Sequence, residues 1–158
     1  MSTTGSRTGK VIAVCSSRKK GTRKTPLSEA TVDPNWGLKG DAHAACASHR
    51  QVSLLAVESI EKMRKLGLDV GPGDFAENFT TQGINLLAIP LGTHIRIGDG
   101  VVLELTQVGK ECHTRCAIYR QVGQCIMPTE GVFARVLRGG VVRPDDILRV
   151  LDDGERQD

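Results

Sequence analysis

Apolar positions along this chain fall into short β-branched or alternating runs, interrupted every few residues by glycine, proline or charge. Lys10-Val11-Ile12-Ala13-Val14-Cys15 predicts a strand from its β-branched content, and Gln51 to Leu55 predicts another. Leu91 to Ile97 and Val101 to Thr106 flank Gly98-Asp99-Gly100, a hairpin signal. Val132 to Leu137 and Ile147 to Leu151 also read as strands, and Gly139-Gly140 turns the chain between them. Helical spacing is clear in one segment, where Val57, Ile60, Met63 and Leu66 recur every three residues and Gly67 ends the run. A short helix fits Cys112 to Val122. Ser16 to Pro26 reads as a long polar loop, Thr31 to Ala47 as irregular backbone, Gly71-Pro72-Gly73-Asp74 as a turn and Phe75 to Thr80 as a short strand. Many short strands with glycine turns and a single long helix predict a mainly β fold, a β-barrel with helical insertions. A doubly wound sheet would need helices alternating with strands, and too few are visible.

The length of 158 residues suits one domain with a core that needs no disulfides. Residues 1–9 read as a disordered start, 10–151 as the domain and 152–158 as a charged tail. The net charge of +3 is small, and much of the positive charge lies in Arg18-Lys19-Lys20 and Arg23-Lys24. That run reads as a solvated loop or as an attractor of phosphates. None of the few aromatics is interleaved with it, which argues against nucleic-acid binding by base stacking. No stretch approaches the roughly 20 apolar residues that cross a bilayer, and Met1 to Lys10 lacks a signal-peptide core. The expectation is a soluble, cytoplasmic protein without a membrane partner, whose five cysteines are thiols or ligands.

The densest chemistry lies in Gly109-Lys110-Glu111-Cys112-His113-Thr114-Arg115-Cys116, just after an apolar strand. A cysteine is a strong nucleophile and a soft metal ligand as the thiolate, which nearby cations and a helix start favour. Lys110 and Arg115 supply the cations, so Cys112 is the candidate reactive or metal-bound sulfur. Cys116 and Cys125 are either buried apolar groups or partners of it, and a four-ligand zinc site is disfavoured by the spacing. Asp41 could fix a tautomer of His43, and His49 is a further polar candidate. Gly37 and Gly40 flank Asp41 with backbone that could face an anion. In Glu77-Asn78-Phe79-Thr80-Thr81, Asn78 and Thr80 either read a heterocycle edge or satisfy loop backbone. His94 sits in an alternating strand and reads as a surface or core residue, and Trp36 is expected to pack a loop onto the barrel. The phosphate loop, the dinucleotide fingerprint and the serine-nucleophile elbow are all missing from the sequence.

Taken in order, several of these pieces resemble the MOSC domain family, named for the C-terminal domain of molybdenum-cofactor sulfurases. They are Gly37 to His43, His49 to Leu54, Gly73 to Thr80, the Leu91 to Gly98 strand and turn, the Cys112 segment, and Gly131 to Val136 leading to Pro144-Asp145-Asp146. The resemblance spans about Lys10 to Leu151. It implies a β-barrel of the pyruvate-kinase β-barrel-like kind that binds a molybdenum or tungsten pterin cofactor or carries sulfur to one. It implies Cys112 as metal ligand and catalytic residue, with Arg50, Lys110 and Arg115 toward the pterin phosphate and His43, Asp41, Asn78 and Thr80 around the pterin. Reductase members of the family reduce N-hydroxylated compounds with electrons from a partner protein. The alternative is a non-catalytic carrier in which a Cys112 persulfide, resolved by Cys116, delivers sulfur received from a donor protein. Relatives fused to sulfurases carry an upstream pyridoxal-phosphate domain. None is present in this sequence, so it is not expected to mobilise sulfur from cysteine by itself. The chain also departs from many relatives in having Gly109-Lys110-Glu111 where they have Arg and Pro before the cysteine.

Overall fold

The strand-forming runs pair into a closed barrel. The computed structural model describes residues 7–17, 24–41, 44, 50–75, 77–109 and 130–151. Its strands are β1 (Thr8–Ser16), β2 (Thr25–Leu27), β3 (Ala30–Asp33), β4 (Gly37–Leu38), β5 (Val52–Ala56), β6 (Phe79–Gln82), β7 (His94–Ile97), β8 (Val101–Val108), β9 (Val132–Arg138), β10 (Gly140–Val142) and β11 (Ile147–Val150). One α-helix, α1 (Val57–Lys65), and a 3-10 turn at Leu86–Ala88 complete the described elements. Seven strands run in the order β11-β7-β8-β9-β5-β6-β1, and β1 pairs back onto β11 to close the ring. β2 extends β1 outside the ring, and β10-β3-β4 form a small second sheet.

Every strand pair is antiparallel except β5 with β6. Parallel neighbours need a crossover, and α1 supplies it, starting at Val57 immediately after β5. Its last turn closes with both bonds of a Schellman motif: Gly67 N–H donates to the Arg64 carbonyl at 3.0 Å and Leu68 N–H to the Met63 carbonyl at 3.2 Å. Gly67, at φ 97°, takes the left-handed position this closure requires. A three-residue apolar repeat drifts by about 60° per step on a helix of 3.6 residues per turn. Ile60 and Met63 are therefore buried, whereas Leu66 has rotated away and is 66% exposed.

Inward positions alternate along each strand. Ile95 and Ile97, Leu103 and Leu105, Val132, Ala134 and Val136, Leu148 and Val150 meet Val52, Leu54 and Phe79 inside the ring. β1 contributes Val11 and Val14, three residues apart, because a register shift between Val11 and Ala13 inserts one extra residue. That bulge turns Ala13 and Cys15 away from the lumen. A second core lies outside the ring, where Leu55 and Phe133 pack beneath Ile60, Met63, Val70 and Phe75.

Several sequence expectations are corrected. β1 begins at Thr8, and the Ser16 to Pro26 loop gives up Ser16 to β1 and Thr25 and Pro26 to β2. The irregular stretch from Thr31 contains most of β3 and all of β4, strands too short to show a period. Phe75 lies in a turn and joins the second core, so the strand expected from Phe75 begins at Phe79. Trp36 is 42% exposed rather than packed under a loop. The helix expected at Cys112 to Val122 lies outside the described residues. Leu54 is fully buried in the ring, so Leu54→Ala is expected to lower unfolding free energy by about 2–5 kcal/mol. The expected shift in denaturation midpoint, with unchanged slope, is measurable by urea unfolding.

Candidate functional site

At the C-terminal end of β1 the chain gathers polar side chains that the barrel interior cannot take. Asp41 Oδ1 accepts from Lys24 Nζ at 2.8 Å and from the Ser17 backbone N–H at 3.0 Å. Lys24 Nζ also donates to Ser17 Oγ at 3.1 Å. Both charged side chains are fully buried, so each charge depends on the other for its solvation. Lys24 is thus committed to an internal partner and does not belong with the free basic loop inferred from the sequence.

Asn78 ties three strands together. Its Oδ1 accepts from Ser53 N–H at 3.0 Å and Ser53 Oγ at 3.3 Å, and its Nδ2 donates to the Cys15 carbonyl at 3.1 Å. Beside it, Glu77 Oε2 accepts from Thr80 Oγ1 at 2.7 Å and from Gly73 N–H at 3.0 Å. Gly73, at φ 86°, lies so close to β2 that a Cβ there would overlap the Lys24 carbonyl oxygen. Lys24 N–H in turn donates to the Gly73 carbonyl at 2.8 Å. The described side-chain bonds of Asn78 and Thr80 thus go to the protein's own atoms.

Two groups here have displaced acidities. Burial pushes the Cys15 thiol up to about 12, with the Glu77 carboxylate adding to the rise and Lys24 opposing it. Cys15 is therefore a protonated thiol at neutral pH and a poor nucleophile. Burial also raises the Glu77 carboxyl above its ordinary value, partly offset by the Gly73 and Thr80 hydrogen bonds. Its second oxygen, Oε1, is buried with no hydrogen-bond partner among the described residues, which suits a protonated acid better than a carboxylate. Sequence reasoning passed over Cys15, Ser17 and Glu77 as functional candidates, and took Lys24 only as part of the basic run. The one available signal was an acid set between Gly73 and an apolar strand, where few backbone donors but those of the turn could reach it.

The remaining candidates fall elsewhere. Cys112, His43, Lys110 and Arg115 lie outside the described residues. Arg50 is exposed, with its guanidinium 5.9 Å from the centroid of Phe133. Val14, Phe79, Leu54, Val132 and Val108 form one row across the ring. Asp41, Asn78 and Glu77 gather on the Ser16 side of that row. The two ends of the 110–129 segment meet on its other side, where Gly109 N–H donates to the Gly131 carbonyl at 2.7 Å. Gln107 Nε2 braces the Gly109 carbonyl at 2.6 Å, and Glu130 is held by Ser59 at 2.6 Å and Lys62 at 2.7 Å. A cavity of about 500 Å³ opens beside this neck, lined in part by Glu58, Ser59, Lys62, Ile84, Leu86 and Glu130. Among the described residues no group of three or more His, Cys, Asp or Glu side chains is placed to hold a metal ion.

The family model described as MOSC domain matches residues 40–149. Among solved structures, the YuaD protein from Bacillus subtilis aligns with a TM-score of 0.75 at 18% identity, over 90% of this chain and 95% of its own. YiiM from Geobacillus stearothermophilus aligns at 0.70 and 20% identity, over 92% of this chain and 76% of its own. YiiM from Escherichia coli gives 0.64 at 18% identity, over 90% and 70%. At these identities the structural likeness is one of fold. A search of curated proteins found no match.

Removing one member of the buried pair leaves the other charge without compensation. Lys24→Met is expected to cost about 3–5 kcal/mol, and the double variant Lys24→Met/Asp41→Leu to recover most of it, by urea unfolding. For Glu77, the folded chain keeps a proton above 4.5 that the unfolded chain has lost. The folded state then binds more protons, so this group makes wild-type stability fall as pH rises from the unfolded value to the raised folded value. Glu77→Gln keeps the accepting oxygen and removes the titration. Its stability relative to wild type should therefore climb through that window, measured as the difference in unfolding free energy across a pH series.

Proposed function

The chain belongs to the MOSC domain family, and on that premise we propose that it binds a molybdenum or tungsten pterin cofactor with Cys112 as the protein's ligand to the metal. The observation that carries this reading is the family match itself, which runs unbroken through the Cys112 segment. The family is associated with the molybdenum cofactor. The donor chemistry fits: a cysteine thiolate is a metal ligand, and the sequence between Gly109 and Glu130 concentrates thiols and cations. Cys15, the described cysteine, is a buried thiol whose raised acidity unfits it for that task. The tied Gly109–Gly131 neck and the cavity beside it give the segment a fixed base on the barrel.

In this reading the chain's own groups divide the work. Cys112 holds the metal as a thiolate, its ionisation favoured by Lys110 and Arg115. Arg50, Lys110 and Arg115 pair with the pterin phosphate through charge-assisted hydrogen bonds. His43 would read the pterin edge. Asp41, Asn78 and Thr80 act as positioning groups, since their described hydrogen bonds go to the barrel's own atoms. When bound, the group supplies oxygen-atom and electron transfer, and the activity class we propose is reduction of N-hydroxylated compounds with electrons from a partner protein.

Protein produced in a host that makes the cofactor is expected to contain molybdenum or tungsten by elemental analysis, and Cys112→Ser to lose it. Equal metal content in the two overturns the assignment of Cys112. A mass increment of one sulfur atom on Cys112, without metal, assigns the carrier role instead.

A further inference from the structure

The turn of residues 71–74 is closed on itself and tied to the barrel through Gly73. Asp74 N–H donates to the Gly71 carbonyl at 3.1 Å, and Gly71 N–H donates to Asp74 Oδ2 at 2.8 Å. These two bonds make the turn a unit. Val70 before it and Phe75 after it are 3% and 1% exposed, and both are anchored in the core beneath α1. Between those anchors Gly73 ties the turn to the barrel twice. Its N–H donates to Glu77 Oε2 at 3.0 Å, and its carbonyl accepts from Lys24 N–H at 2.8 Å.

Glu77 sits behind this turn with no exposed surface, and its Oε1 has no hydrogen-bond partner. The titratable groups around it do not neutralise it. Cys15, on β1, is a protonated thiol. Lys24, ahead of β2, has its ammonium 2.8 Å from Asp41 Oδ1. Asp74, on the turn itself, is a like charge. From β6 comes the Thr80 hydroxyl, and Ser53 of β5 binds Asn78. A protonated acid suits this place, whereas a carboxylate there is a buried charge without a cation. The walls made by β1 and β6 are ring strands, fixed by their ladders. The turn is half-exposed at Gly71, Pro72 and Asp74, and lifting it admits water to the carboxylate at the loss of the two Gly73 bonds.

We propose that Glu77 and the 71–74 turn form a pH-sensitive latch: the protonated acid keeps the turn closed on Lys24, and ionisation opens it. Burial raises the Glu77 carboxyl above its ordinary value, and the Gly73 and Thr80 bonds offset that rise in part. The closed turn therefore holds the proton more tightly than an open one, in which the group is hydrated. Opening gains as pH rises from the ordinary value to the raised one and levels off above it. Because Gly73 also holds the Lys24 backbone, pH sets how firmly β2 and the Lys24–Asp41 pair are fastened to the end of β1. The latch uses no residue of the 110–129 segment and stands independently of the cofactor reading.

The test is amide hydrogen exchange of the full chain by NMR across a pH series, corrected for the intrinsic exchange rate. In wild type the Gly73 and Lys24 amides are expected to open more readily than the Leu105 amide, which bonds to the Thr93 carbonyl beside the ring. Their opening constant is expected to rise by up to about tenfold per pH unit through the window. Glu77→Gln keeps an accepting oxygen, cannot ionise, and is expected to give a flat profile. A second reading needs no variant: the 13C shift of the Glu77 carboxyl carbon in wild type is expected to titrate above 4.5. Gly73 and Lys24 amides that exchange at the Leu105 rate overturn the proposal, as does a flat profile in wild type. The same slope in Glu77→Gln, or a Glu77 carboxyl that titrates at or below 4.5, overturns it as well.

Discussion

Closure of the ring through β1 is the constraint on which the other features depend. β1 pairs with β11 through Thr8 to Lys10, with β6 through Lys10 to Val14, and with β2 through Val14 to Ser16. One strand can serve three neighbours only if its pleat changes phase along its length. The bulge between Val11 and Ala13 makes that change. Val11 and Val14 both enter the lumen, while the Val11 amide and carbonyl bond to Asp146 and Asp145 at 2.9 and 2.6 Å. A closed ring leaves no unpaired edge and an inner face filled with aliphatic side chains.

Such a lumen has no room for polar chemistry, so every ionisable group described here lies outside it. The outward phase of β1 delivers Cys15 beneath the Gly73 turn, and the residues just beyond Ser16 reach the buried Lys24–Asp41 pair. These groups are costly to bury and are nonetheless tied to one another across segments far apart in sequence. They fasten β2, the Asp41 loop and the Gly73 turn to the end of β1. Gly109 and Gly131, which bracket the 110–129 segment, are joined on the opposite side of the ring, so these ties pin the end of the barrel away from that neck.

The sequence made the ring legible because its strands are long enough to carry a period. β8, β9 and β11 bring aliphatics inward at every second position, and the glycine hairpin between β7 and β8 is unmistakable. β2 and β4 were lost because two or three residues cannot display a period, and β3 because its two inward apolar residues, Ala30 and Val32, run straight into Asp33, Pro34 and the Gly37 turn; they are strands because neighbouring strands accept their pairing. The thiols and cations around Cys112 were visible as composition. The polar frame was not, since Lys24 and Asp41 are partners 17 residues apart and nothing local distinguishes a lysine that will be buried. Phe75 was misread for a related reason: an aromatic beside Asp74 and Ala76 resembles a strand start, and only the space beneath α1 makes it core.

The outer face obeys a different rule from the lumen. Opposite Glu104, Arg135 finds an acid, so a cation in register there is neutralised within the sheet. Two residues back along β8, a buried valine, Val102, stands between Arg96 and Arg138 instead. Strand register, the same feature that closes the barrel, therefore decides which cations of the outer face meet an acid within the sheet.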